Sequence, residues 1–519
     1  MQVVRIPDHG LPVARLRWMP LVGGLLMGAA ALSALIFIAV GSDAFRPYPY
    51  AFLLPWVLGL AVVLITPSAY LAYKGQFSLT DPIVFLTWTY LIPAFVLGGL
   101  FFAGGWSQPY FAAFIQDAEQ TLPFTLILVA IGFAGLCAGY FARFSARLGA
   151  RIERILPKAD HNDDAFIIPG YVLFVLGVLN TIIAFIVGII GFQHGEQVNS
   201  YDGLIYLTTL FWAEGTFLLW SVIFRSRKLN LAHWATAAVL VVSALIRAAF
   251  SGSRAALIAM GITVGLAYFM ARPQLKFRHY VGVGVAALAL LMGGMVYGSM
   301  FRSVRGTEER VSVDQYASSV SDTFDQVSRE NPSVLMSYAV DRIMERLDAV
   351  SSLAVVVSNY ERLAPYEEAY GINNNIVSDL STFFIPRVLW PDKPTASDPR
   401  RYGQLYFDYG DSSPVITPFG DLLRNFGLWG VPIGMFVIGM ILKIIYRALI
   451  ESQPARLWRV TLYFMLLTSV SLEGFYGTIV SSLFKDGVVA VVGLLIACFL
   501  AGRLSSLTRS VSNLSSNAS

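Results

Sequence analysis

The chain has 519 residues, of which 56% are hydrophobic and only 13% charged, and its formal net charge is +4. A water-soluble globular protein carries roughly twice that share of charge, so the composition excludes one and points to an all-α polytopic membrane protein. Cys137 and Cys498 both fall in apolar segments, which excludes a disulfide framework and a thiol metal site.

A bilayer core takes about 20 apolar residues per helix, and by that measure the chain carries about twelve spans. The first six read at 19–40, 50–72, 82–104, 122–142, 166–191 and 203–224. The others read at 232–250, 255–271, 280–300, 428–447, 457–476 and 486–502. At Ser251–Arg254 two readings stay open, two helices or one long kinked helix. The first apolar run is as long as a full span and longer than a signal h-region, so no cleaved signal peptide is expected. The chain thus divides into a bundle of about nine helices (1–300), a polar insertion (301–427) and three C-terminal spans (428–503). A Ser/Asn-rich tail, 504–519, is expected to be disordered.

Orientation follows from Lys and Arg in the short loops. One set of loops holds Arg15, Arg17, Arg143, Arg147, Arg151, Arg154, Lys158, Arg225, Arg227 and Lys228. Lys276, Arg278, Arg447, Arg456, Arg459 and Arg503 fall on the same side, whereas the opposite short loops offer little beyond Arg46, Arg254 and Lys485. The rich side is expected to be cytoplasmic, with both termini inside and the insertion outside. The insertion holds 12 Lys+Arg against 18 Asp+Glu, a net of −6, which leaves +10 on the rest of the chain.

Within the insertion, residues 340–359 place apolar side chains at 340, 343, 347, 350, 354 and 357, the spacing of one amphipathic helix lying on the membrane or capping the bundle. The stretch FFIPRVLWPDKP (383–394) has prolines at 386, 391 and 394 and cannot be a regular helix. It is expected to be a rigid, extended segment displaying Arg387, Trp390 and Lys393.

Several chemistries drop out. The chain has no Asp-x-Asp pair, no Walker-type Gly-rich loop, no HExxH and no G-x-S-x-G elbow, and its five histidines are scattered. No cofactor or metal is expected. What remains is arginine on the outer side: Arg247 and Arg254 around Ser251–Ser253, then Arg302, Arg305, Arg346, Arg387, Arg400 and Arg401. A guanidinium stays charged and binds phosphate oxygens through a planar fork, so these residues suit the diphosphate of a polyprenyl-linked sugar. Each can equally be an interfacial anchor or the partner of a loop carboxylate. Two carboxylates lie in spans, Glu214 and Glu473, and a buried one needs a partner; for Glu214 a structural ion pair with Arg247 is the simplest.

About twelve spans, SGSR (251–254) at a helix start, one large late outer loop, RLD (346–348) and FIPRVLWPDKP together resemble the bacterial O-antigen and exopolysaccharide repeat-unit polymerases, the Wzy type. The resemblance implies a GT-C-type, metal-independent glycosyltransferase of the inner membrane. It would move a glycan from undecaprenyl diphosphate onto the non-reducing end of another lipid-linked unit at the periplasmic face. The implied partners are the two lipid-linked oligosaccharides, the bilayer, a chain-length regulator and a flippase, with no nucleic acid. Under it, Arg254 and Arg302 would hold the donor diphosphate, Arg247, Arg346 and Arg387 would assist, and Asp348 or Glu473 would be the base. An O-antigen ligase is the nearest alternative, but ligases of this superfamily carry a histidine in the large loop and 301–427 has none. A lipid-linked oligosaccharide transporter is the other, although no internal repeat is visible.

Overall fold

The computed structural model describes residues 48–157, 163–190, 201–226, 228–251, 254–271, 277–305, 313–393, 397–409, 415–451 and 456–516. Among the described residues every regular element is helical. In chain order the first eight helices are α1 (Leu54–Tyr73), α2 (Pro82–Ala103), α3 (Ala118–Phe141), α4 (Arg143–Ile155), α5 (Ile167–Val187), α6 (Asp202–Arg225), α7 (Leu231–Ser251) and α8 (Arg254–Ala271). They are followed by α9 (Phe277–Arg305), α10 (Val313–Arg329), α11 (Pro332–Leu347), α12 (Ala349–Glu367), α13 (Asn375–Thr382), α14 (Pro399–Phe407), α15 (Pro418–Tyr446), α16 (Leu457–Thr468) and α17 (Tyr476–Ser516). Nine of the described helices are long and apolar enough to cross a membrane, namely α1, α2, α3, α5, α6, α7, α9, α15 and α17. α8 and α16 are shorter apolar helices. The chain is therefore a multi-pass membrane protein. The span expected at 19–40 lies outside the described residues.

Lipid is as apolar as a leucine side chain, so spans associate through close packing rather than by escaping water. The seam between α3 and α15 is built for that. A Cβ on Gly139 would run into the carbonyl of Phe436, and one on Gly439 into that of Leu136, so only hydrogen fits at either place. α5 and α6 meet in the same way, Gly177 against the backbone of Trp212 and Gly215 against that of Phe174. α15 is interrupted once. Gly427 sits at φ 65°, ψ −165°, a conformation closed to residues with a Cβ, and it divides a first segment, 418–426, from the apolar run that the sequence begins at 428. α2 widens into a π-helix over Thr87–Leu97, around Pro93, which has no N–H to donate to the preceding turn.

The bundle has two distinct ends. At one, the insertion seats on the 104–117 loop: Ser107 Oγ donates to Asp348 (3.0 Å), Asn359 Nδ2 to Phe114 O (3.0 Å) and Tyr110 OH to Phe407 O (3.0 Å). At the far end Arg447 pairs with Glu153 (4.0 Å), and Arg459 donates to Pro157 O (3.5 Å).

Four expectations change. Residues 340–359 are not one helix but the end of α11 and the start of α12, which meet at Asp348 (φ −75°, ψ 82°). α12 is driven into the bundle: Val350, Leu353, Ala354 and Val357 join Val57, Phe95 and Phe419 in the largest apolar cluster. The 383–393 segment is a run of turns rather than extended, with Trp390 N–H bonded to Pro386 O (3.2 Å) and Lys393 N–H to Trp390 O (3.1 Å). α16 ends at Thr468, which leaves Glu473 in a loop instead of a span. α17 continues through 504–516, because Leu504, Leu507, Val511 and Leu514 keep helical spacing among the serines; residues 517–519 lie outside the described ones.

Replacing Gly139 by valine should force α3 and α15 apart and lower stability by about 1–3 kcal/mol or more, read as a lower unfolding midpoint in detergent.

Candidate functional site at the insertion end

The site is framed by one buried ionic network. Arg424, on the first segment of α15, has a fully buried side chain and pairs with Asp421 (2.9 Å) and with Glu367 of α12 (3.0 Å). Its guanidinium also donates to Ile372 O (2.9 Å) and Asn375 Oδ1 (2.6 Å), and it lies over the ring of Tyr402 (5.6 Å). Glu367 accepts from Tyr406 OH (2.8 Å), and burial raises its pKa above the usual carboxylate range despite the nearby arginine. Asp421 accepts the backbone N–H of Tyr476 (2.8 Å). One charge cluster therefore ties α12, α13, α14 and the start of α17 to α15. It fixes the 469–475 loop, and that loop carries Glu473.

On one side of this loop Glu473 forms an ion pair with Arg346 of α11. Arg346 lies within electrostatic reach of Arg302, near the end of α9, and Arg302 also feels Tyr338. Below the pair, Tyr90 of the π-helical turn has a buried hydroxyl with no hydrogen-bond partner among the described residues, within reach of both Glu473 and Arg346. Arg302, Arg346 and Glu473 are thus brought together, half-open to solvent, at the mouth of the apolar bundle. Gly98 makes this possible: a Cβ there would collide with the carbonyl of Leu347, so only glycine lets α2 approach the α11–α12 junction.

On the other side lies a second cationic group. Lys393 donates to Thr382 O (2.8 Å) and Ile385 O (3.1 Å), and the charges of Lys485 and Arg387 reach it. Burial, then those two like charges, lower its pKa below that of a free lysine, against the pull of Asp379. Asp379 accepts from Ser397 Oγ (2.5 Å), sits against Gly477, and has its carboxyl raised chiefly by burial. Phe383 meets Phe484 edge to face (5.1 Å), pinning the turn-rich segment to α17. Arg387 belongs to this group through its charge on Lys393.

The remaining candidates fall elsewhere. Asp348 is buried and caps α12, accepting from Ser351 N (3.0 Å), Ser351 Oγ (2.7 Å) and Ser107 Oγ (3.0 Å). A carboxylate enclosed in this way is positioned to hold a helix start rather than to meet a substrate. Arg247 lies over the ring of Trp212 of α6 (4.4 Å). The Glu214 ion pair with Arg247 is therefore absent: both Glu214 oxygens are buried without a hydrogen-bond partner among the described residues, one of them against Gly493. The backbone of Arg254 opens α8, but its side chain, with Gly252 and Ser253, lies outside the described residues.

Sequence reading missed Tyr90, Glu367, Asp379, Asp421 and Arg424. A proline in an apolar span marks the widened turn at Tyr90, and an Asp and an Arg three apart at the head of an apolar helix mark the network. Nothing in the chain order marks Glu367 or Asp379 as their companions. No protein-family model, no curated protein and no solved structure matches this chain.

Arg424→Met should strand Asp421 and Glu367 as buried, unpaired charges and cost about 3–5 kcal/mol, seen as loss of folded protein in detergent. Asp348 titrates near pH 6 through burial, against 3.8 for a free aspartate. Between those values the folded chain holds a proton that the unfolded chain has released, so this residue's contribution is complete below about pH 4 and lost by about pH 6, worth up to about 3 kcal/mol. Asp348→Asn keeps the cap and should flatten the fall in unfolding midpoint over that window.

Proposed function

We propose that this chain is a membrane glycosyltransferase of the repeat-unit polymerase type. In this reading it works at the outer face of a bacterial inner membrane, moving a glycan from undecaprenyl diphosphate onto the non-reducing end of a second lipid-linked unit. The observation that carries the reading is the Arg346–Glu473 pair with Arg302 beside it, at the mouth of an apolar helical bundle.

The donor diphosphate enters beside Arg302, and Arg346 exchanges the Glu473 carboxylate for phosphate oxygens. Charge-assisted bonds from a planar guanidinium suit that exchange. The released Glu473 carboxylate takes the proton of the acceptor hydroxyl. The acceptor oxygen then bonds to the anomeric carbon, while the bond from that carbon to the phosphate oxygen breaks and its electron pair leaves on the diphosphate. Guanidiniums fixed beforehand stabilise that departing charge without reorganisation. The second group, Arg387, Lys393 and Lys485, suits the diphosphate of the acceptor's own carrier, since a polymerase handles two lipid-linked substrates at once. Arg254 remains a donor ligand in this proposal through its place at the start of α8. Of the two base candidates Glu473 is favoured, because it is exposed beside the arginines and Asp348 is enclosed.

A second reading, a transporter of lipid-linked oligosaccharide, draws on Glu214, since an unpartnered carboxyl inside a span is the kind of group that carries protons across membranes. Purified protein in detergent with a lipid-diphosphate oligosaccharide separates the two. A polymerase makes a ladder of products there, whereas a transporter makes none and moves the substrate only across sealed vesicles.

In the ladder assay Glu473→Gln should cut the rate by about 10²–10⁴-fold, the span of general-base catalysis. Arg302→Ala and Arg346→Ala should each cost about 10²–10³-fold, and Asp348→Asn should stay near wild type. A Glu473→Gln protein extending chains at the normal rate would remove Glu473 as the base.

A further inference from the structure

The far end of the bundle carries a charged surface that the proposed chemistry does not use. In α4, Arg143, Arg147, Arg151 and Arg154 recur at the spacing of a single helical stripe, and all four are exposed. Next to it Phe144, Ile152 and Ile155 form an apolar stripe that is also uncovered, at 61%, 37% and 83% exposure. The third face is locked to the protein. Ser145 Oγ donates to Gly139 O (2.8 Å), and a Cβ on Gly149 would meet the Arg447 side chain and the carbonyl of Ile444. With that face fixed, α4 cannot turn its apolar stripe inward. Its one acidic residue, Glu153, reaches toward Arg447 (4.0 Å), just past the end of α15 and away from the arginine stripe.

α4 also begins where a membrane span stops. The chain leaves α3 at Phe141, crosses the extended Ala142 (φ −62°, ψ 132°) and starts α4 at once. A helix at that level, with one stripe of arginine and one of exposed aliphatic and aromatic side chains, has the make-up of a helix lying in the membrane interface. We propose that α4 is an in-plane binding site for anionic phospholipid. The four guanidiniums hold headgroup phosphates, and Phe144, Ile152 and Ile155 enter the boundary with the acyl chains. Guanidinium forks match phosphate oxygens, and basic residues close to an anionic leaflet are attracted additively. The proposal does not depend on the glycosyltransferase reading.

The test uses full-length protein in nanodiscs of phosphatidylcholine, with or without phosphatidylglycerol. Phosphatidylglycerol should raise the unfolding midpoint by a few degrees. The quadruple variant Arg143→Gln/Arg147→Gln/Arg151→Gln/Arg154→Gln should lose that increment while unfolding like wild type in phosphatidylcholine alone. Equal wild-type midpoints in the two lipids, or an increment that survives in the variant, overturns the proposal. So does an equal increment from soluble glycerol phosphate added to phosphatidylcholine discs, which would assign the stripe to any phosphate. Should the quadruple variant fail to fold, Ile155→Cys in a Cys137→Ala/Cys498→Ala background carries an environment-sensitive fluorophore. Its emission should shift to the blue when phosphatidylglycerol is present and return in high salt; water-like emission in those discs overturns the proposal.

Discussion

A guanidinium with no access to water needs carboxylates and carbonyls around it, and the two terminal nitrogens of Arg424 impose that demand on the whole insertion end. Two carboxylates, a backbone carbonyl and an amide oxygen converge on it from α12, α13, the 372 turn and its own helix. None of these elements can move without stranding a charge in a low-dielectric interior. A network of this kind adds little net stability, because desolvation offsets most of the attraction. What it supplies is a single arrangement of the segments that surround it. The 469–475 loop follows, since the N–H that opens α17 is bonded to Asp421, and Glu473 follows the loop.

A second constraint acts inside the bundle. Spans in lipid gain from contact only as closely as their backbones approach, and glycine sets that limit where α3 meets α15 and where α5 meets α6. The same device appears once at the mouth, where Gly98 admits the α11–α12 junction. Together with the π-helical turn around Pro93, it carries Tyr90 to the level of Arg346 and Glu473. The rigid core and the outer charges are thus positioned by the same few small residues.

Cations at the mouth fall into two groups on either side of one short loop, and their environments differ. Arg302 and Arg346 share a half-open space with Glu473, whereas Lys393 is crowded by Lys485 and Arg387 and tempered by Asp379. Like charges held near one another at the edge of an apolar medium create a standing attraction for anions. That property, more than any one residue, is what supports a reading in terms of lipid diphosphates. The arginine stripe of α4 makes a comparable surface at the opposite end, arranged along a helix instead of around a loop.

Composition and apolar run length were enough to establish a multi-pass helical protein, because a bilayer's thickness acts on each segment separately; nine of the described helices are long and apolar enough to cross a membrane, against about twelve expected spans. Local signals also marked the insertion and the irregular 383–393 stretch, where prolines forbid a helix. The site was only partly legible. Arg302, Arg346 and Glu473 could be named from charge and position, but the Arg346–Glu473 pair joins residues 127 apart, and no local pattern encodes that. Asp348 was one of two candidate bases on residue type and place, and only the packed α11–α12 corner reveals that it is buried and caps α12 whereas Glu473 keeps contact with solvent. Arg247 and Glu214 likewise looked like partners, but Arg247 lies over Trp212 and both Glu214 oxygens have no hydrogen-bond partner among the described residues. Burial, rotation and long-range pairing are properties of the assembled bundle, and these decided which charges stand together.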